Sequence, residues 1–286
     1  MVTVTVSGNA NVSYVMGHGL TVDGDHKVSP YSTITPHFPE TELETVEKDQ
    51  SLSIQERGAV SSMLPLRTFA LRIETTEAGQ ELANKTWNAM WHFHLLSLSC
   101  GAPAIPLFCQ SGDDDETVLA VTNRHLFFHP LETLQKTTEA QCDWAADKYS
   151  NFWELIKDDK FSRAMRYFGN SHYLPDLESR IMLLWAGVES LFNLDAEQSR
   201  RVALYAAILH DKPKEEKIAY AERVRKAYHV RSRIVHGSLL GSDDKKTAYA
   251  DASEILARIL SKCVALGRIP ERKEYDQIAS AQSIHT

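Results

Sequence analysis

The residues best suited to chemistry lie together at 228–237, in the segment YHVRSRIVHG. Arg231 falls on a stripe of helical spacing whose other members are Ile218, Ala221, Val224, Tyr228 and Val235. His236 follows at the predicted end of the same helix, where unsatisfied carbonyls favour a positively charged side chain. Gly237 then leaves room for a substrate or a second chain. A guanidinium and an imidazole that titrates near neutrality can bind negative charge and transfer protons.

A guanidinium on a buried stripe needs a partner, because an unpaired buried charge costs several kcal/mol. Glu189 is the candidate, since it borders the apolar stripe of the predicted helix over 177–193. A carboxylate at that position would hold Arg231 in a fixed orientation. The residues leave open a second interpretation, in which this ion pair only holds two helices together.

These segments resemble a known family. The helix that carries GVESLFN, the later helix that ends in YHVRSRIVHG and a closing amphipathic helix are similar to the Apea-like branch of the HEPN domains. The similarity covers residues 160–266. The bare spacing of Arg to His also occurs from Arg124, Arg166 and Arg223, so the weight comes from the surrounding residues.

The resemblance implies a helical bundle, often dimeric, and in many members a ribonuclease that needs no metal. Arg231 and His236 would be catalytic: His236 as the base or acid and Arg231 as the group that stabilises charge at phosphorus. Glu189 and Tyr228 would orient them, and a two-fold dimer would bring a second pair into the same cleft. Ser232 is a departure, since members with proven catalysis more often carry Asn, Asp or His there.

A basic cluster on the same helix is the candidate contact for nucleic acid: Arg223, Arg225, Lys226 and Arg233. Such a cluster can contact phosphates. A solvated helix face is the alternative. Arg200 and Arg201 would extend the cluster if their helix packs alongside.

The helices and strands expected from the sequence make this an α+β chain. Residues 1–155 are mixed and are interpreted as a candidate sensor or regulatory part. Residues 156–270 form the HEPN-like bundle, and 271–286 are a loose polar tail. Helices are predicted over 77–98, 131–156, 160–168, 177–193, 196–210, 213–236 and 245–266, and strands over 67–75, 105–110 and 118–128. Residues 18–66 are predicted as loop with short strands.

Composition narrows the class of protein. The chain has 286 residues, a net charge of −7 and four cysteines without paired spacing, which indicates a globular protein of the reducing cytoplasm with no disulfide framework. Val2, Val4 and Val6 alternate with polar residues and predict a strand instead of a signal peptide. No apolar run is long enough for a membrane helix.

The sequence carries few motifs of other kinds of functional site. No phosphate-binding glycine loop, serine-hydrolase elbow or HExxH is present. His92 and His94 are poor joint ligands, so no metal or other cofactor is expected. Arg124, His125 and His129 are interpreted as a strand end and a turn.

The favoured hypothesis is therefore a metal-independent endoribonuclease of anti-phage (abortive infection) or toxin–antitoxin defence, with RNA and a second copy of the chain as partners. The alternative is a non-catalytic dimerisation or RNA-binding scaffold in which Arg231, Glu189 and His236 form a structural network.

Overall fold

The structure is a computed structural model, and it describes residues 4–112, 117–122, 133–192, 198–210 and 212–281. The chain forms two compact units, residues 1–149 and 150–286, and the division falls within one helix. A six-stranded antiparallel sheet lies in the first unit and the second is helical. The predicted α+β class is confirmed.

The first unit is built on a sheet of order β3-β4-β5-β1-β6-β7, and β2 pairs separately with β8. Its strands are β1 Val12–His18, β2 Leu20–Thr21, β3 His26–Ser29, β4 Ser32–Thr35, β5 Phe69–Glu74, β6 Ile105–Ser111, β7 Val118–Val121 and β8 Gln135–Lys136. Its helices are α1 Leu43–Lys48, α2 Ile54–Met63, α3 Gln80–Asn88 and α4 Met90–Cys100, and α5 Glu139–Leu155 leads into the second unit.

Both faces of the sheet are packed. Met16 and Ala70 belong to a buried cluster with Val60 and Met63 of α2. On the other face of β5, Phe69 lies against Phe93 of α4 with the ring centroids 5.6 Å apart. Phe69, Leu71 and Ile73 of this strand are fully buried.

Several predictions for the first unit are wrong. The described residues 4–7 form no strand, and the first strand is β1. Residues 18–66 contain α1 and α2, which were predicted as loop, and helix 77–98 is two helices with Ala89 between them. Helix 131–156 begins only at Glu139. The predicted strand over 118–128 is β7 as far as Val121, and the residues 123–132, with Arg124, His125 and His129, lie outside the described part.

The second unit consists of helices. They are α6 Asp159–Asn170, α7 Leu177–Phe192, α8 Gln198–Ile208, α9 Lys214–Val235, α10 Ser242–Leu266 and α11 Arg272–Ala281. Phe161, Trp185, Tyr205 and Leu256 are fully buried among them. A Cβ on Gly187 of α7 would lie 2.7 Å from Leu256 Cδ2, so α7 and α10 approach closely at this glycine.

The segment after Arg268 is not a loose tail. It forms α11, on which Tyr275 is 2% exposed and stacks on Tyr205 at 4.4 Å. The prediction failed because one buried aromatic residue fixes this otherwise polar helix.

Candidate active site

Helix α9 carries most of the predicted site. It starts after Pro213, its N-cap, with Glu215 and Glu216 in the first turn, where carboxylates favour the positive end of the helix dipole. Its last residue is Val235, and Gly237, two residues later, has a φ of 74°. The Ser238 N–H donates to the Arg233 carbonyl at 2.9 Å and the Gly237 N–H to that of Ile234 at 3.0 Å, which is a Schellman cap.

The expected contact between Glu189 and Arg231 is present. Arg231 Nη2 lies 3.0 Å from Glu189 Oε1 and donates to Oε2 at 3.2 Å. The Tyr228 hydroxyl donates to Oε1 of the same carboxylate at 2.9 Å. One carboxylate of α7 therefore binds two side chains of α9.

The surroundings of this contact are largely closed to solvent. The side chains of Arg231 and Glu189 are 25% and 24% exposed. The Arg231 guanidinium lies 5.4 Å from the centroid of the Tyr228 ring, and the ring of buried Trp185 meets Tyr228 edge-on at 5.1 Å. Burial, followed by the hydrogen bond to Glu189, raises the pKa of Tyr228 to about 12. We call Trp185, Glu189, Tyr228 and Arg231 the Glu189 cluster.

The predicted core stripe of α9 is too long. Ala221, Val224 and Tyr228 are buried, whereas Ile218 is 37% exposed and Val235 45% exposed. Burial therefore ends before the helix does at both ends. The last turn, which holds the rest of the motif, projects from the packed part.

His236 lies on a different side of α9 from Arg231. It is the exposed C-cap residue, and its N–H donates to the carbonyl of half-buried Ser232 at 3.1 Å. A separation of five residues turns the helix by about 140° between Arg231 and His236. The structure thus joins Arg231 to Glu189 and Tyr228 but does not bring His236 into that cluster.

The four predicted phosphate contacts separate into two kinds. Arg223 is bound by carboxylates of α10: its Nη2 donates to Asp251 Oδ1 at 2.6 Å and also pairs with Glu254. These hydrogen bonds raise its pKa further above its ordinary range. Arg225, Lys226 and Arg233 are exposed, and no carboxylate of the described residues pairs with them.

Sequence reasoning missed His229. This exposed side chain follows Lys226 by three residues and precedes Arg233 by four and His236 by seven. Spacings of three and four place all of them on one side of a helix. We call Lys226, His229, Arg233 and His236 the exposed α9 face; the helical period alone would have identified it.

The remaining histidines of interest do not form a metal site. His92 binds Ser32 Oγ through Nδ1 at 2.8 Å, whereas the His94 ring lies against Trp91 at 5.4 Å. The described residues contain no group of His, Cys, Asp and Glu side chains arranged to hold a metal ion. The four cysteines are buried and free.

Comparison of this chain with known proteins found no similar protein. No protein-family model, curated protein or solved structure matches this chain. Within the described residues, none of the helices has the length and apolar character needed to cross a bilayer.

Proposed function

We propose that this chain is a metal-independent endoribonuclease, an effector of bacterial anti-phage (abortive infection) or toxin–antitoxin defence that acts in the cytoplasm as a homodimer. One observation carries the proposal: His236 stands exposed at the end of α9, on the same side as Lys226 and Arg233. An accessible imidazole beside unpaired cations is what cleavage of an RNA phosphodiester needs.

The reaction is an internal transfer at phosphorus. A base removes the proton of a 2′-hydroxyl, the 2′-oxygen bonds to phosphorus, and the bond to the 5′-oxygen breaks as an acid protonates that oxygen. The products are a 2′,3′-cyclic phosphate and a free 5′-hydroxyl. His236 serves as acid or base, and cations balance the charge that develops on the phosphoryl oxygens.

Arg231 enters this proposal as the cation of the motif, held by Glu189 and Tyr228. Its guanidinium reaches RNA only if the substrate or a second chain approaches the side of α9 where Arg231 lies. Ser232 supports the turn through its carbonyl, which binds the His236 N–H.

A second copy of the chain is the proposed partner of the exposed apolar side chains next to His236, and His236 itself stays open to RNA. Val235 and Leu239, on either side of His236, are 45% and 96% exposed. Burying such side chains in a two-fold contact contributes about 1.5–3 kcal/mol each. Light scattering should give a dimer for the wild type and a monomer for Leu239→Glu; a wild-type monomer would contradict this part.

The alternative is a non-catalytic scaffold for dimerisation or RNA binding. The observation that favours it is the Glu189 cluster, in which the charge of Arg231 is already balanced and three quarters of its side chain is buried. In that case Arg231 contributes to stability and not to turnover.

The test is incubation of labelled single-stranded RNA and tRNA in EDTA with wild type, Arg231→Ala and His236→Ala. Arg166→Ala, an exposed charge on α6, is the matched control. We expect wild type and control to yield ends with cyclic phosphate, and His236→Ala to be slower by about 10²–10⁴-fold. An RNA with a 2′-deoxy substitution at the cleavage site should stay intact. If folded wild type does not cleave, the scaffold is favoured.

A further inference from the structure

The exposed α9 face carries two imidazoles with a guanidinium between them. His229, Arg233 and His236 are all exposed, and no described side chain forms an ion pair or hydrogen bond with any of them. Exposed Glu222, four residues before Lys226, lies on the same side of α9 and is outnumbered by the cations Lys226 and Arg233. The side is therefore positive and free to meet a ligand.

The spacing of the two histidines suits a phosphodiester. Seven residues correspond to two turns, so their Cα atoms lie about 10.5 Å apart along the axis and their side chains differ by only about 20° in direction. Attacking and leaving oxygens lie on opposite sides of phosphorus, each within about 2.8 Å of its own acid or base. A separation of two turns leaves room for the phosphorus centre between the rings.

Arg233 lies between these histidines, four residues after His229 and three before His236. Its planar donors can bind the two non-bridging oxygens of a phosphate. Arg231 does not have this position, because it lies about 140° from His236 around the helix and is bound to Glu189.

We infer that His229 and His236 are the acid–base pair of the proposed ribonuclease and that Arg233 is its phosphate-binding cation, all from one chain; the inference rests on the proposed function. One imidazole takes the 2′-hydroxyl proton while the other, as imidazolium, gives a proton to the departing 5′-oxygen. The P–O2′ bond forms and the P–O5′ bond breaks, with no net change in protons on the pair.

Single-turnover cleavage at saturating RNA by the full-length protein tests the assignment. His229→Ala and His236→Ala should each be slower by about 10²–10⁴-fold, and Arg233→Ala by about 10²–10³-fold. Arg163→Ala, an exposed arginine of α6, is the matched control and should keep the wild-type rate. Thermal melting should be unchanged in all four variants, because the side chains are exposed.

The outcomes separate this inference from the proposed function. Cleavage by His229→Ala at the wild-type rate, with His236→Ala inactive, would overturn the inference and leave the ribonuclease intact. No cleavage by wild type would overturn both. Mixing His229→Ala with His236→Ala under subunit exchange should restore no activity; restored activity would show a site assembled across two chains and would overturn the one-chain arrangement.

Discussion

Replacing Glu189 by alanine should destabilise the second unit measurably. The change removes the acceptor of the Tyr228 hydroxyl at 2.9 Å and of the Arg231 guanidinium at 3.2 Å. It leaves behind a charge whose side chain is 25% exposed. The guanidinium then lacks both its counter-charge and full hydration.

The size of the loss follows from that exposure. Fully exposed ion pairs contribute about 0–1 kcal/mol, and breaking a buried pair costs about 3–5 kcal/mol. A pair with a quarter of each side chain exposed falls between these limits, so we expect Glu189→Ala to lower the free energy of unfolding by about 2–3 kcal/mol. Tyr228→Phe, which loses only one hydrogen bond, should cost about 1–1.5 kcal/mol.

The assay must report on α7 and α9 alone, because two compact units can unfold separately. Native-state hydrogen exchange of peptides from these helices, followed against urea, gives the local free energy of opening. A double-mutant cycle of Glu189→Ala with Arg231→Ala should give a coupling of about 1–2 kcal/mol. Glu222→Ala, an exposed acid of α9, is the control and should change stability by less than about 0.5 kcal/mol.

Additive effects below about 0.5 kcal/mol for both single variants would refute the reasoning. The Glu189 cluster would then contribute no stability, and its role would have to be sought in positioning Arg231.

Three further predictions concern other parts of the chain. Burial lowers the pKa of His92 to about 3, against about 6.5 when unfolded. The contribution of neutral His92 to the stability of the first unit should therefore be complete above pH 6.5 and be lost as the pH falls towards 3. Hydrogen exchange of the sheet measures this contribution as the difference in acid slope between wild type and His92→Gln, and equal slopes would contradict it. In thermal melting, Gly17→Ala should lower the stability of the first unit by about 1–3 kcal/mol, since a Cβ there would lie 2.3 Å from the Phe69 ring. In the same experiment Gly58→Ala should raise it by about 0.5–1 kcal/mol, because Gly58 is exposed within α2 and, outside its own helix backbone, such a Cβ has no neighbour within 4 Å. Gly237→Ala should lower stability by about 1 kcal/mol because φ is 74°; no change on urea titration would argue against the Schellman cap.

Long periodic segments were predictable from the sequence. Helix α7 and the central part of α9 follow the apolar period, and the position of Glu189 beside its stripe was enough to expect the contact with Arg231. The helices that were missed are short or carry few buried residues. In α2 these are Ala59, Val60 and Met63, with Gly58 interrupting the pattern.

Capping residues in the sequence indicate where two of these helices begin. Ser53 and Glu56 form a capping box at the start of α2. Thr138 and Gln141 do the same two turns into the predicted helix 131–156: the Thr138 N–H donates to Gln141 Oε1 at 2.9 Å, and the Gln141 N–H to Thr138 Oγ1 at 3.3 Å. Both pairs are visible as Ser or Thr followed three residues later by Glu or Gln.

The site shows that closeness in sequence is weak evidence that two residues of a helix share a site. Their directions around the helix axis are better evidence. Arg231 and His236 are close in sequence, yet the helical period sends one towards Glu189 and leaves the other in solvent beside Arg233. One helix thus carries a packed cluster on one side and exposed histidine and arginine side chains on the other. If Arg231→Ala loses cleavage and stability together, the loss of cleavage is explained by damage to the Glu189 cluster. If Arg233→Ala loses cleavage at unchanged stability, the exposed α9 face takes part in the reaction. Comparing the two arginine variants therefore distinguishes a structural role from a role in cleavage.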